Sequence, residues 1–122
     1  MHEAKRVIIA GGGIGGLTLG LALVQRGISV RVHEQVAHPA EVGAGLQISA
    51  NGSRCLFSLG LQQAVRAIAT VPDGKQVRLW NTGQRWKLFD LGSESEQAFG
   101  FPYLMVHRGD LHAVLLDALR RA

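Results

Sequence analysis

The sequence predicts a mixed α/β fold, and three observations lead to that prediction. Residues 6–10 form a short apolar run with the length and composition of a buried strand. Apolar residues then recur at helical spacing over 14–24, and Gly27 is a fitting stop for that helix. Residues 28–33 alternate apolar and polar side chains, as a second strand does. Strand, helix and strand in this order are typical of two parallel strands joined by a crossover helix.

The turn between the first strand and the helix is rich in glycine. Its glycines follow the pattern Gly11-x-Gly13-x-x-Gly16. In such a pattern Gly11 makes the tight turn, Gly13 lets a phosphate approach the backbone, and Gly16 lets the helix pack closely on the strand. The helix that follows presents free N–H groups and the positive end of its dipole. The unit therefore predicts a Rossmann-like site for the pyrophosphate of a dinucleotide.

An acidic residue closes the second strand. Glu34 lies 18 residues after Gly16. A carboxylate at this strand end is placed to accept hydrogen bonds from a ribose diol. The same carboxylate would repel a 2′-phosphate, so FAD or NAD is expected rather than NADP.

The segment 7–24 also has to be considered as a membrane helix. It carries no charged residue and is long enough to approach a membrane span. The spacing of Gly12, Gly16 and Gly20 resembles a helix-packing face, and the basic pair before the segment could open a signal peptide. However, six glycines would make a poor isolated helix, and an amphipathic strand follows at once. The membrane interpretation is therefore disfavoured.

Composition limits the function classes. Of 122 residues, 47% are hydrophobic and 18% are charged, the balance of one globular domain. The formal net charge is +4, but the basic residues are scattered, so an anionic cofactor or substrate explains them better than nucleic acid. Cys55 is the single cysteine, which fits a reducing cytoplasm, and its apolar neighbours predict that it is buried. His107 and His112 show no metal-ligand spacing and are expected to be ordinary polar positions.

The remaining sequence predicts further helices, a hairpin and a final strand and helix. The predicted elements are helices over 53–59 and 61–69, hairpin strands over 76–80 and 85–89, an acidic loop over 92–100, a strand over 101–106 and a helix over 107–122. Trp80 and Trp86 alternate with polar residues in the hairpin and are expected to pack. The glycine-containing segment 41–49 is either a bent strand or backbone that passes close to a flat ligand. Arg108 opens the last helix, where the dipole disfavours cations, so it has an anionic partner or is simply solvated.

Taken together, these features resemble the N-terminal part of the FAD-dependent aromatic-ring hydroxylases, the single-component flavoprotein monooxygenases. The resemblance covers essentially the whole chain. It rests on the GGGIGGL turn at 11–17, Glu34, the segment 41–48, the helix region 51–61 and the segment 107–112. Along 90–113 the chain looks most like members that hydroxylate 3-hydroxybenzoate or salicylate.

The resemblance implies a set of cofactor-binding residues. They are Gly11, Gly13, Ile14, Gly15, Gly16, Glu34, Gln35, Gly45, Gln47 and Arg108. The glycine turn would hold the FAD pyrophosphate, and Glu34 with Gln35 beside it would bind the adenosine ribose. Gly45 and Gln47 would lie near the flavin, and Arg108 would reach the phosphates or the ribityl chain.

The reaction implied is hydroxylation of a phenolic aromatic acid by O2, with FAD reduced by NADH or NADPH. A cytoplasmic protein is expected, with no metal, nucleic-acid or membrane partner. The family's catalytic residues and further cofactor motifs are expected beyond Ala122. The chain is thus expected to be an incomplete N-terminal portion, inactive alone, of a larger FAD/NAD(P)-binding fold. Within it, 1–50 would start the dinucleotide-binding βαβ unit, and the hairpin over 75–91 would belong to a substrate-side sheet.

Two alternatives stay open: an FAD- or NAD-binding module without turnover, and an NAD dehydrogenase domain. A dehydrogenase would be expected to continue with another helix and parallel strand soon after Glu34. The sequence continues instead with the glycine segment at 43–45 and a hairpin. This order favours FAD.

Overall fold

The structure, a computed structural model, describes residues 6–37 and 44–122. Its elements in chain order are β1 (Arg6–Ala10), α1 (Ile14–Val24), β2 (Ser29–His33), β3 (Gly45–Ile48), α2 (Ala50–Ser58), α3 (Gln62–Ile68), β4 (Ala69–Thr70), β5 (Gly74–Arg78), β6 (Arg85–Asp90), α4 (Gly92–Phe99), β7 (Leu104–His107) and α5 (Arg108–Arg121). The predicted α/β class is confirmed. Of the predicted segment 41–49, residues 41–43 lie outside the described residues.

The first three elements form the predicted βαβ unit. Strands β1 and β2 pair in parallel, with a register running from Arg6 opposite Ser29 to Ala10 opposite His33. Helix α1 connects them, and the chain leaves the helix through Gly27, which has a φ of 75°. Glycine adopts this left-handed conformation without steric cost, so its predicted role as a helix stop is confirmed.

A second sheet lies beside this unit, with strand order β3-β7-β4. Strand β7 is central and pairs antiparallel with both neighbours, with Gly45 opposite His107 and Ala69 opposite Val106. Strand β4 has only two residues and was not predicted, because so short a segment has no periodicity. The pairing of β3 with β7 brings the residues just before α5 next to those at the start of β3.

The core lies between α1, α5, the helices α2 and α3, and the second sheet. Its buried members are Leu17, Leu21, Ile48, Leu56, Leu59, Leu61, Val65, Leu104, Val106, Leu111 and Leu115. The predicted last helix is present, and its Leu111 and Leu115 are buried at 3% and 0% exposure, four residues apart on one face. Helix α5 is thereby packed firmly against α1.

The predicted hairpin is present, but its aromatic residues do not pack as expected. Strands β5 and β6 are antiparallel, from Gly74 opposite Asp90 to Arg78 opposite Arg85. Trp80 is 95% exposed and Trp86 is 44% exposed, so the packing expectation is wrong. Within the described ranges, no second layer covers the hairpin, and alternation alone could not reveal that.

The acidic loop predicted over 92–100 is instead helix α4. Its polar composition hid the helix signals, which are Glu94 in the first turn and Gly100 with a φ of 75° at the C-terminal cap. The Ser95 hydroxyl donates a hydrogen bond to the carbonyl of Phe101 at 3.2 Å, which ties the helix to the segment that follows it.

Helix α2 begins at Ala50, three residues before the predicted start. Ser53, the first residue of the predicted helix, is therefore inside α2, where it is fully buried. Its hydroxyl donates to the carbonyl of Pro102 at 2.7 Å, which ties α2 to the segment before β7. Cys55 is exposed, contrary to prediction, because Ser53 and Leu56 form the buried face of this helix.

Candidate nucleotide site

The glycine turn between β1 and α1 adopts the conformation that its sequence predicts. Gly11 has a φ of 109°, and its N–H donates to the carbonyl of His33 at 2.7 Å. A Cβ on Gly16 would lie 2.0 Å from the carbonyl oxygen of Gly11. Gly16 is therefore required for the close packing of helix on turn, as predicted.

The first turn of α1 presents unused hydrogen-bond donors. The first backbone bond of the helix runs from the N–H of Leu17 to the carbonyl of Gly13 at 2.9 Å. Within 6–37 and 44–122, the N–H groups of 13–16 have no hydrogen-bond partner. An added Cβ on Gly13 or Gly15 would have no contact within 4 Å outside its chain neighbours and its own helix, so the surface beside these two residues is uncrowded. Open amides at the positive end of a helix dipole form a site for an anion.

Glu34 lies beside this turn and is held by two backbone amides. Its Oε2 accepts a hydrogen bond from the N–H of Gly12 at 2.8 Å, and its Oε1 accepts one from the N–H of Val36 at 3.0 Å. The bonds from Val36 and then Gly12 lower the pKa of the Glu34 carboxyl below its ordinary value of 4.5. Each carboxylate oxygen keeps a second lone pair for another donor. Sequence reasoning predicted only a ligand role here and missed that Glu34 also braces the turn.

A cleft of about 500 Å³ opens at this end of the parallel sheet. It is lined by Ala10, Gly11, His33, Glu34 and Gln35. The cleft brings the predicted residues Gly11, Glu34 and Gln35 together at the carboxyl ends of β1 and β2, whereas residues 13–16 of the glycine turn are not among its lining. Ligands of open α/β sheets bind at this edge.

The other three predicted site residues lie together on β3 and at the start of α5. Gly45 pairs with His107, and the N–H of Arg108 donates to the carbonyl of Ala44 at 3.1 Å. The side chain of Gln47 is fixed through its Oε1, which accepts a hydrogen bond from the hydroxyl of Tyr103 at 2.7 Å. Because Oε1 is engaged, the amide nitrogen of Gln47 is the group left to donate to another acceptor.

Helix α5 connects these two groups of residues. One turn after Arg108, His112 approaches the glycine turn, and its Nε2 lies 2.7 Å from the carbonyl oxygen of Gly12. His112 is only 4% exposed, so its interpretation as an ordinary polar position was wrong. The spacing of His112 could have predicted its burial, because it directly follows Leu111 and lies three residues before Leu115 on the buried face of the helix.

The described ranges contain neither a metal-binding cluster nor a membrane-spanning helix. Within them, no group of three or more histidine, cysteine, aspartate or glutamate side chains is arranged to hold a metal ion. Among the helices of the same ranges, none has the length and apolar character needed to cross a bilayer.

Comparison with known proteins agrees with this geometry. The sequence profile of a family described as "FAD binding domain" matches residues 4–121, almost the full chain. The chain belongs to the FAD binding domain family. The predicted resemblance to FAD-dependent aromatic hydroxylases is confirmed by this match together with curated relatives such as the 3-hydroxybenzoate 6-hydroxylases.

Curated relatives of the chain include monooxygenases with aromatic substrates. It is 35% identical over 119 residues to 6-hydroxynicotinate 3-monooxygenase of Pseudomonas fluorescens, which covers 98% of this chain and 31% of that protein. It is 40% identical over 111 residues to 3-hydroxybenzoate 6-hydroxylase of Polaromonas naphthalenivorans (strain CJ2), covering 91% of this chain and 28% of the relative. The chain thus spans about 30% of the length of such relatives.

Solved structures of related proteins superpose on almost the whole chain. The tetrameric form of 2-methyl-3-hydroxypyridine-5-carboxylic acid oxygenase superposes with a TM-score of 0.79 at 29% identity, covering 98% of this chain and 30% of that one. HpxO of Klebsiella pneumoniae, solved with FAD and uric acid, superposes with a TM-score of 0.81 at 25% identity and covers 96% of this chain and 29% of that one. The FAD-bound neighbour supports FAD as the ligand class.

Proposed function

We propose that this chain is the FAD-binding part of an NAD(P)H-dependent flavin monooxygenase that hydroxylates a hydroxylated aromatic carboxylic acid. The observation that carries the proposal is the set of amides at 13–16, which have no hydrogen-bond partner within the described residues, beside the carboxylate of Glu34. The first group suits a pyrophosphate, and the second suits a ribose diol.

Different residues of the chain would bind different parts of the cofactor. The amides of 13–16 would donate hydrogen bonds to the pyrophosphate, and the helix dipole would offset part of its charge. Glu34 would accept from the ribose hydroxyls through its remaining lone pairs, with Gln35 beside it in the cleft.

The flavin half would lie toward β3 and the start of α5. Arg108 would bring a permanent positive charge to the phosphates or the ribityl chain. Gln47, oriented by Tyr103, would present its amide nitrogen to an acceptor on the cofactor. Gly45 would allow the strand to pass close to the flat ring system.

FAD, when bound, would supply electron transfer from the nicotinamide and activation of O2 for insertion into the ring. The substrate class follows from the relatives, because 6-hydroxynicotinate and 3-hydroxybenzoate both carry a ring hydroxyl and a carboxylate. O2 and NADH or NADPH would be the co-substrates, and the cytoplasm would be the place of action. This activity is proposed for the complete protein that contains the chain.

The test is titration of the apoprotein with FAD and, separately, with NAD, following flavin fluorescence and absorption. We expect saturable binding of FAD, weaker binding of NAD, and a loss of FAD affinity of about tenfold or more in Glu34→Ala. Folded protein that binds NAD but not FAD would overturn the proposal in favour of a dehydrogenase-type domain.

Turnover is a separate measurement on the complete protein. NADH or NADPH oxidation should rise on addition of 3-hydroxybenzoate, salicylate or 6-hydroxynicotinate, with formation of a hydroxylated product. Tight FAD binding without stimulation by any hydroxylated aromatic acid would leave a flavin-binding module and contradict the hydroxylase assignment.

A further inference from the structure

We propose that His112 is a positioning residue of the nucleotide site, because it orients the peptide group whose N–H faces the ligand. The inference rests on the proposed function, since the ligand concerned is the pyrophosphate of FAD. His112 touches the turn from the side opposite the open amides and so would act through the backbone rather than on the cofactor.

The hydrogen bond between His112 and the turn has a defined direction. A carbonyl oxygen can only accept, so the Nε2 atom, 2.7 Å from the Gly12 oxygen, must carry the proton and donate it. The ring is almost fully buried, at 4% exposure, so water does not compete freely for this bond. The carbonyl of Gly12 is thus held toward α5.

The direction of that carbonyl determines the direction of the next N–H. The carbonyl of Gly12 and the N–H of Gly13 belong to one planar trans peptide group, in which they point to opposite sides. Fixing the carbonyl toward His112 therefore aims the N–H of Gly13 away from α5. Within the described residues the N–H of Gly13 has no hydrogen-bond partner, so this donor is available to a ligand.

The turn needs this support because glycine is flexible. Gly11, Gly12 and Gly13 are consecutive, and glycine loses more conformational freedom on folding than any other residue. The N–H of Gly12 is fixed by Glu34 at 2.8 Å, and its carbonyl is fixed by His112 at 2.7 Å. One residue is thereby held from both sides, which lowers the entropy cost of ordering the turn when a ligand binds.

Helix α5 is a rigid base for His112. Leu111 and Leu115, on the same side of the helix, are 3% and 0% exposed. Farther along, Leu119 packs against Gly20 of α1, where an added Cβ would lie 3.1 Å from the Leu119 Cδ2 atom. The position of the imidazole relative to the turn is therefore set by the packing of α5 on α1.

The experiment compares two variants that carry the same side-chain amide on side chains of different length. In His112→Gln, the side-chain nitrogen is as many bonds from Cα as Nε2 of histidine and can donate to the Gly12 carbonyl. In His112→Asn it is one bond closer to the main chain and cannot reach it. We expect FAD affinity near that of the wild type for the glutamine variant and about tenfold lower for the asparagine variant.

A stability control separates positioning from a loss of folding. Val65→Ala removes buried volume in α3, where the side chain is 0% exposed, far along the chain from the turn. It should lower the melting temperature while leaving FAD affinity unchanged at a temperature where the protein is folded. FAD affinity is measured by fluorescence titration, and folding of each variant by circular dichroism.

The outcomes distinguish this inference from the proposed function. Wild-type protein that binds FAD, with equal affinity in the glutamine and asparagine variants, would overturn the role of His112 and leave the proposed function intact. Affinity that falls in parallel with melting temperature across all three variants would assign His112 a purely structural role. Folded wild-type protein that binds no FAD would overturn both.

Discussion

At the scale of single residues, the glycines of the turn serve different physical needs. Gly11 has a φ of 109°, which side chains disfavour. Gly16 has no room for a Cβ, since the Gly11 oxygen would lie 2.0 Å away. Gly13 and Gly15 have neither a positive φ nor an atom within 4 Å of an added Cβ, outside their chain neighbours and own helix. The pattern of glycines in the sequence predicts a turn of this kind, but only the contacts separate those needed for folding from those available to a ligand.

Gly16→Ala should destabilise the protein by about 1–3 kcal/mol or more, because the added methyl overlaps a backbone carbonyl that cannot move aside. Gly15→Ala is the matched control in the same helical turn. It should leave the stability equal or raise it by up to about 1 kcal/mol, since alanine is the better helix former. Chemical denaturation of both variants tests the contrast. Equal stability of the two would contradict the packing described here.

Glu34 gives a pH dependence of defined sign. A carboxyl whose pKa is lowered by folding contributes stability above its ordinary pKa and loses it as pH falls through the lowered value. Wild type should therefore be more stable than Glu34→Gln at neutral pH, and the difference should shrink below about pH 4.5. Urea unfolding of both proteins at stepwise lower pH measures it. A difference that stays constant over this range would show that the charge of Glu34 does not stabilise the turn.

The sequence predicted the glycine turn and the acid at the end of the second strand, but it did not reveal the contacts that support them. Glu34 was found because an acid at the end of the second strand is a local signal. His112 was missed because its partner, Gly12, lies 100 positions away in the chain. The bond from Tyr103 to Gln47 spans 56 positions and was missed for the same reason. Long-range side-chain contacts leave no periodicity in a single sequence.

At the scale of elements, helix α5 links the parts of the candidate site. It begins at Arg108 beside β3, contacts the glycine turn through His112 and packs on α1 through its apolar stripe. That stripe was predictable from the spacing of leucines. Helix α4 was not, because its residues are mostly polar and its burial depends on Ser95. The sequence predicts the type of an element where the apolar periodicity is strong, and the prediction fails where that periodicity is weak.

Leu115→Ala should cost about 2–5 kcal/mol of stability, because the side chain is 0% exposed at the contact of α5 with the core. Leu19→Ala on α1 is a control of the same chemistry at a side chain that is 49% exposed, and it should cost much less. Thermal and urea unfolding compare the two. Similar losses in both variants would mean that α5 is not part of the core.

At the scale of the whole molecule, the described residues form a packed core with apolar surface around it. Ile8 on β1 is 67% exposed, although parallel strands are usually covered on both faces. The hairpin also exposes Trp86, Leu88 and Phe89. The number of parallel strands was predictable from the sequence. The exposure of the hairpin in the described ranges was not predictable, because it depends on whether other elements pack against the hairpin.

The tryptophans report on this surface, because the chain has only two and both are in or beside the hairpin. In residues 1–122 expressed alone, Trp80, 95% exposed, should emit as water-exposed indole and be quenched readily by acrylamide. In a longer protein that contains this chain, a hairpin packed in a substrate-side sheet should give blue-shifted, protected emission. Trp80→Phe assigns the signal. Identical spectra and quenching in both forms would contradict that prediction.

Gly13→Ala is the sharpest test of whether the amides of the α1 N-terminus bind the FAD pyrophosphate. Gly13 has a φ of −73°, which alanine accepts, and the added Cβ meets no protein atom within 4 Å. The loss of glycine at a helix N-cap should cost at most about 1 kcal/mol of stability. A phosphate close to this backbone would collide with the methyl group. We therefore predict folded protein with FAD affinity reduced at least about tenfold by titration. Unchanged FAD affinity would show that the pyrophosphate does not bind at these amides.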